Sequence, residues 1–310
     1  MDRDASALQL ESRPLLLGGQ ELSPLGLLGV GRGVVVYRVR RATSTEDLAC
    51  KVFDASRATA FHSELAVLTA IASEAHVPGL PMLEANSPAP GPGAPGAEAQ
   101  HLLLTRPVAT RLEHLTSSSV LHIFHILSHL HTKLKVVHGD VEPKHLAVDP
   151  ASGTVCLLDL GSAAPLSGSR VVLPEARARR YSGTLLFASD DVLSALAEGA
   201  QPAAPHPRQD MVALVKTACV MVHGTIAKAA AGRAEAVAQQ LAQQPPDIAR
   251  AASMVRSFWE QQLNASTAAG CVWSELVADA HNIPGSEDVA LYARASQQLC
   301  GQLATLVCPG

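Results

Sequence analysis

A chain of 310 residues with 47% hydrophobic content can bury a substantial core in one large domain or two lobes, which excludes disorder as its default state. Its formal net charge of -4 provides neither a basic footprint for nucleic acid nor a polybasic segment for an anionic membrane, so neither partner is expected. The cysteines, Cys50, Cys156, Cys219, Cys271, Cys300 and Cys308, form no Cys-x-x-Cys pair, which argues against a structural zinc site and for a reducing compartment.

No apolar run reaches about eighteen residues, and Met1-Asp2-Arg3-Asp4 lacks the layout of a secretory signal, so an intracellular, cytoplasmic placement is expected. Without such a signal, the glycosylation sequon at Asn264 reads as chance.

Residues 1–20 are mixed and proline-punctuated, an N-terminal extension with a short strand at Leu15-Leu16-Leu17. From Leu27 to Val39 the pattern is strand, glycine-rich turn, strand. Gly29, Gly31 and Gly33 would let backbone amides approach a bulky anion, although a glycine-rich hairpin without a ligand fits the same residues. Leu48 to Phe53 alternates as a strand and places Lys51 among apolar neighbours. Taken alone, such a lysine is an exposed residue on a wet strand face. The next segment, 58–75, changes the reading: Phe61, Leu65, Leu68 and Ile71 have helical spacing, and Glu64 on that helix could pair with Lys51 and aim its ammonium at a phosphate.

Ser87 to Gly96 is a Pro/Gly/Ala-rich loop inserted before a strand at His101–Thr105, and Arg106-Pro107 marks the boundary between a first unit, 21–106, and a second, 107–310. A helix over 119–135 buries Val120, Ile123, Leu127 and Leu130. It also carries His122, His125, His129 and His131; the His125/His129 spacing could hold zinc, but no cysteine or carboxylate completes a set, and histidines on a solvated helix face are the reading adopted. Next comes a polar loop, His138-Gly139-Asp140-Val141-Glu142-Pro143-Lys144-His145, and then a strand from Val155 running into Asp159-Leu160-Gly161. Two aspartates so placed can converge on one phosphate group. Gly161 to Gly183 reads as a mobile surface loop with Arg177, Arg179 and Arg180. A helix starts at Asp190-Asp191, a Pro-rich loop covers Gln201 to Arg208, Asp210 to His223 is a buried helix, and the rest is helical with breaks near Pro245 and Pro284.

In this order the elements resemble the eukaryotic protein kinase family over about residues 20 to 300. Gly29-x-Gly31 with Val36 resembles the Gly-rich loop; Ala49-Cys50-Lys51 resembles the Val-Ala-Ile-Lys strand, with Glu64 as the pairing glutamate. His138-Gly139-Asp140 resembles the catalytic loop, Asp159-Leu160-Gly161 the metal motif, and Gly183-Thr184 through Asp191 the end of the activation segment. Asp210 resembles the buried helix aspartate that ties the catalytic loop down. The resemblance implies an α+β, two-lobed fold, with a small β-rich N-lobe carrying one main helix and a larger, mostly α-helical C-lobe. It also implies ATP and Mg²⁺, with Lys51 on the α- and β-phosphates, Asp159 on the metal, Asp140 as base towards the attacking hydroxyl, and His138 and Gly161 in support.

Four departures qualify this. His145 replaces the metal-binding asparagine, and imidazole is a poor Mg²⁺ ligand, which moves the expectation for a metal held by Asp159 and His145 towards Mn²⁺. Glu142 reverses the charge of the catalytic-loop lysine, while Lys144 offers a compensating cation. Gly139 replaces the arginine that reads an activation-loop phosphate, and Asp190-Asp191 stands for Pro-Glu, with no arginine partner assignable to Asp191 from sequence.

The leading expectation is transfer from ATP to serine or threonine of an unidentified protein. A nucleotide-binding or scaffolding pseudokinase is the alternative, and a small-molecule kinase of aminoglycoside or choline type, which shares His-Gly-Asp, is a third. Asp-Leu-Gly and the Gly-Thr segment weigh against the third.

Overall fold

The computed structural model describes residues 15–31, 33–74, 76–87, 101–174, 181–264 and 268–307. The Arg177, Arg179 and Arg180 cluster, most of the Ser87 to Gly96 loop, Cys308 and the last two residues of the sequon lie outside these.

The first half builds an antiparallel sheet. Strands β1 (Leu15–Leu17), β2 (Gln20–Gly31), β3 (Val34–Arg41), β4 (Asp47–Phe53), β5 (Met82–Asn86) and β6 (His101–Arg106) are arranged in the order β1-β2-β3-β4-β6-β5. Alternation along β4 decides what each face does. Leu48, Cys50 and Val52 point into a small core with Leu22, Tyr37, Val39 and Leu104, while Lys51 emerges on the opposite face, in register with Val36 and Leu103. Against that second face packs α1 (Ala58–Ala72), which buries Phe61, Val67, Leu68 and Ile71 together with Glu64. Leu65, expected on the buried stripe, is only half-buried, and Val67 takes the central place.

The chain then becomes mainly helical. Helix α2 (Ser117–His129) is N-capped by Thr116, buries Val120, Ile123 and Leu127 as expected, and passes into a π-helical turn, Leu130–Leu134. Short strands β7 (Thr110–Arg111), β8 (Val136–Val137), β9 (Leu146–Val148), β10 (Val155–Leu157) and β11 (Ala164–Pro165) form two small sheets, β10-β9-β7 and β11-β8, that frame the polar loop. Helices α3 (Asp190–Ala197), α4 (Pro207–Val222), α5 (Gly224–Leu241), α6 (Ile248–Gln262), α7 (Ala268–His281) and α8 (Val289–Leu306) complete the structure. This is the two-lobed α+β architecture expected from the resemblance. Among the described residues no single helix is long and apolar enough to cross a membrane.

Three expectations need correction. Helix α4 begins inside the segment read as a Pro-rich loop, because His206 and Gln209 form a reciprocal cap and Pro207 takes the first helical position, where its missing N–H costs nothing. The segment after Gly161 is packed where described: β11 pairs with β8, and Leu166 and Val171 are buried. His131 is not on a solvated face. It is fully buried, with Nδ1 2.6 Å from the Tyr292 hydroxyl and Nε2 2.8 Å from Asp210.

Candidate functional site

A cleft of about 700 Å³ opens between the sheet and the helical part. Gly29, Gly31, Val36, Ala49, Lys51 and Glu64 line it from the sheet side, and Asp140, Lys144, His145, Asp159 and Gly161 line it from the other. Gly33 is not on its wall. It turns the β2–β3 hairpin at φ +72°, its carbonyl accepts from Asp54 N at 3.1 Å, and a Cβ there would collide with the Asp54 carboxylate. Thr105, Pro107 and Leu158 also line the cleft, although nothing in the sequence pattern singled them out.

The hub of the cleft is an ion network. Lys51 Nζ donates to both Glu64 oxygens, at 2.7 and 2.9 Å, and to Asp159 Oδ1 at 2.9 Å. Lys51 and Glu64 side chains are 17% and 6% exposed, whereas Asp159 is 40% exposed and faces the cleft. Burial works against the Lys51 charge, but the Asp159 and Glu64 carboxylates outweigh it and hold its pKa above the usual lysine value. Burial likewise opposes the Asp159 charge. Lys51 and His145 override it and hold that carboxyl well below its usual range. Asp159 itself sits at φ +64°, a left-handed conformation rare for a residue with a side chain, and its carboxylate accepts from Gly161 N at 3.3 Å.

The polar loop is held from beneath. Asp210 on α4 accepts from His138 N at 2.6 Å, Gly139 N at 2.8 Å and His131 Nε2 at 2.8 Å. The His138 ring donates from Nε2 to the Leu158 carbonyl at 3.0 Å and accepts Asp140 N on Nδ1 at 3.2 Å, and burial pushes its pKa down to about 4. Thr217 on the same helix donates to the Val141 carbonyl at 3.0 Å. His138 and Asp210 therefore set the path of the loop without lining the cleft.

Gly139 has φ +78°, and a Cβ would run into the Ser162 carbonyl. An arginine has no room there. Gly139→Ala is expected to destabilise the protein by about 2 kcal/mol, read as a lower denaturation midpoint in urea.

Asp140 Oδ1 accepts Thr184 N at 2.6 Å, and Glu142 Oε1 accepts the Thr184 hydroxyl at 2.6 Å and pairs with Lys144. Lys144 thus pairs with Glu142 itself. Burial raises the Asp140 pKa above the usual aspartate value. Asp190 and Asp191 are partnered as well. The fully buried Lys216 donates to Asp190 at 2.8 Å and to the Ala188 carbonyl at 2.6 Å, and Arg208 pairs with Asp191 at 3.0 Å. Arg208 is the arginine partner that sequence did not reveal.

The expected metal pair, Asp159 and His145, does not fit Mg²⁺ or Mn²⁺. His145 Nδ1 donates to the Asp140 carbonyl at 2.8 Å, and Nε2 lies 3.2 Å from Asp159 Oδ2. Both ring nitrogens face protein oxygens, so a cation would have to displace one of those oxygens to reach either nitrogen. The Asp159 oxygens already receive Lys51 and His145. Burial disfavours the His145 charge, but the Asp159 hydrogen bond and charge prevail and raise its pKa. The donor atoms of Asp140, Glu142 and His145 come within 4.8 Å of one another, yet each residue is already engaged, through Thr184, Lys144 or the loop backbone.

No protein-family model matches the chain, and no curated protein matches its sequence. Among solved structures it is similar to the kinase PK-1 of Cydia pomonella granulovirus, at 16% identity and a TM-score of 0.46, over 68% of this chain and 71% of that one. A likeness at that level leaves the function to be read from the residues of the cleft.

Proposed function

We propose that the chain is one kinase-like domain, with lobes 21–106 and 107–310, that binds ATP in this cleft and transfers its terminal phosphoryl group to a serine or threonine hydroxyl of a protein. The observation that carries the reading is Lys51. A strand lysine gripped by both oxygens of a buried helix glutamate, and aimed across the cleft at the more exposed Asp159, is a positive charge held in place at the cleft wall, where a phosphate can take over the bond to Asp159. Gly29 and Gly31 leave the opposing strand open to close approach by phosphates.

Asp140 supports the transfer step. Thr184 fixes one of its oxygens; the other, Oδ2, is 3.6 Å from His145 Nδ1, beyond a hydrogen bond, and is the oxygen that would take the proton of the attacking hydroxyl. Its raised pKa makes it a stronger base than an exposed aspartate. With labelled ATP and a generic protein substrate, Asp140→Asn is expected to lower transfer at least about 100-fold while ATP affinity changes by less than about threefold. Equal labelling by wild type and variant would end the catalytic reading.

The engagement of Asp140, Glu142, His145 and Asp159 with protein partners favours a second reading, a nucleotide-binding module that does not turn over. Undetectable wild-type transfer with intact ATP binding would select it.

A further inference from the structure

The geometry points to a phosphate site that works without a divalent cation: the His145 ring stands between the carboxylates of Asp140 and Asp159, and ATP is bound metal-free. This rests on the reading of the cleft as a nucleotide site and concerns how that site neutralises its ligand.

Carboxylates facing a polyphosphate repel it unless a cation lies between them, which is the service a metal ion provides. Here the chain provides it. Asp159 Oδ1 is met by Lys51 Nζ at 2.9 Å and Oδ2 by His145 Nε2 at 3.2 Å, so each oxygen has a nitrogen donor before any ligand arrives. His145 cannot swing away to expose a ligating nitrogen without breaking its other bond, from Nδ1 to the Asp140 carbonyl at 2.8 Å. The ring is 7% exposed and is held between the two aspartates. Lys144, at the cleft wall and 60% exposed, adds a further cation beside Glu142. A divalent ion would have to compete with both nitrogen donors for the Asp159 oxygens and with the Asp140 carbonyl and Asp159 for the His145 ring. Phosphate oxygens, by contrast, can add to the exposed ammonium of Lys144, which has N–H donors beyond its pair with Glu142, and can take over from Asp159 one of the three N–H groups of Lys51.

The test is calorimetric titration of the full chain with ATP in excess EDTA, in Mg²⁺ and in Mn²⁺. Wild type is expected to bind in EDTA with a Kd within about threefold of that in either metal, and His145→Asn to bind about tenfold more weakly in EDTA and to regain affinity when Mg²⁺ is added. His145→Gln, which retains one donor but supplies an oxygen ligand, should behave like the asparagine variant and guards against a folding defect peculiar to one substitution. Wild-type binding that appears only with Mg²⁺ or Mn²⁺ overturns the inference and leaves the nucleotide site standing. Metal-free binding unchanged in both variants overturns the part assigned to His145. No ATP binding under any of the three conditions overturns the nucleotide site itself, and this inference with it.

Discussion

Lys51→Met is expected to weaken ATP binding at least about 100-fold and to destabilise the folded protein by roughly 2–3 kcal/mol. Methionine keeps the length and apolar stem of lysine, so the β4 strand and its register with β3 and β6 need not change. What disappears is the one ammonium that three carboxylate oxygens share, Glu64 Oε1 and Oε2 and Asp159 Oδ1. Glu64, 6% exposed, is then left desolvated with no cation. Protonation of Glu64 limits the cost, which is why the figure sits below the upper range for a broken buried pair. Glu64→Gln should cost less in stability than Lys51→Met, because glutamine leaves no buried charge, and the double variant should show a coupling of more than about 1 kcal/mol. Unaltered ATP affinity in Lys51→Met would remove the basis for reading the cleft as a nucleotide site.

Lys51 and Glu64 were legible in the sequence because each lies in a segment whose local pattern fixes its direction, whereas Asp140 and Asp159 lie outside regular elements and were marked by the resemblance of their motifs. Period-two alternation in β4 separates Lys51 from Cys50 and Val52, and helical spacing carries Glu64 to the inner side of α1. The side chains that escaped depend on partners far along the chain. Lys216 lies in a helix that reads as uniformly apolar, and its acceptor Asp190 is 26 residues earlier; Arg208 reaches back 17 residues to Asp191. No local period encodes either pair.

His131 escaped for a different reason. Its residue type groups it with His122, His125 and His129, but at about 100° per residue it lies opposite them, on the side of the buried Val120 and Leu127, and in the π-turn at Leu130–Leu134 it reaches Asp210. With His145 the residue type was visible and its surroundings were not: a histidine in a ligand position suggested a softer metal, and the sequence did not reveal that its two ring nitrogens face the Asp140 carbonyl and Asp159.

Asp210→Asn is expected to cost about 3 kcal/mol of stability and to loosen the loop that carries Asp140. The carboxylate is almost fully buried and accepts three donors, the amides of His138 and Gly139 and the ring of His131. Asparagine keeps one acceptor oxygen and turns an NH₂ group towards donors that also present hydrogen. No rotation of the amide satisfies both sides. Urea denaturation would read the loss, and amide hydrogen exchange should accelerate first at His138 and Gly139. The pH dependence gives an independent check. Burial alone would raise the Asp210 pKa, but the His131 bond and the Gly139 amide outweigh it, and the folded-state pKa lies below the ordinary 3.8. A depressed carboxyl contributes its stability above the unfolded value and loses it as pH falls through the folded one. The gap between wild type and Asp210→Asn should therefore narrow below about pH 4, as the unfolded chain takes up a proton that the native carboxylate resists, and level off once the native carboxylate is protonated too. A gap that stays the same down to the acid unfolding transition would mean that Asp210 holds the loop by shape rather than by charge.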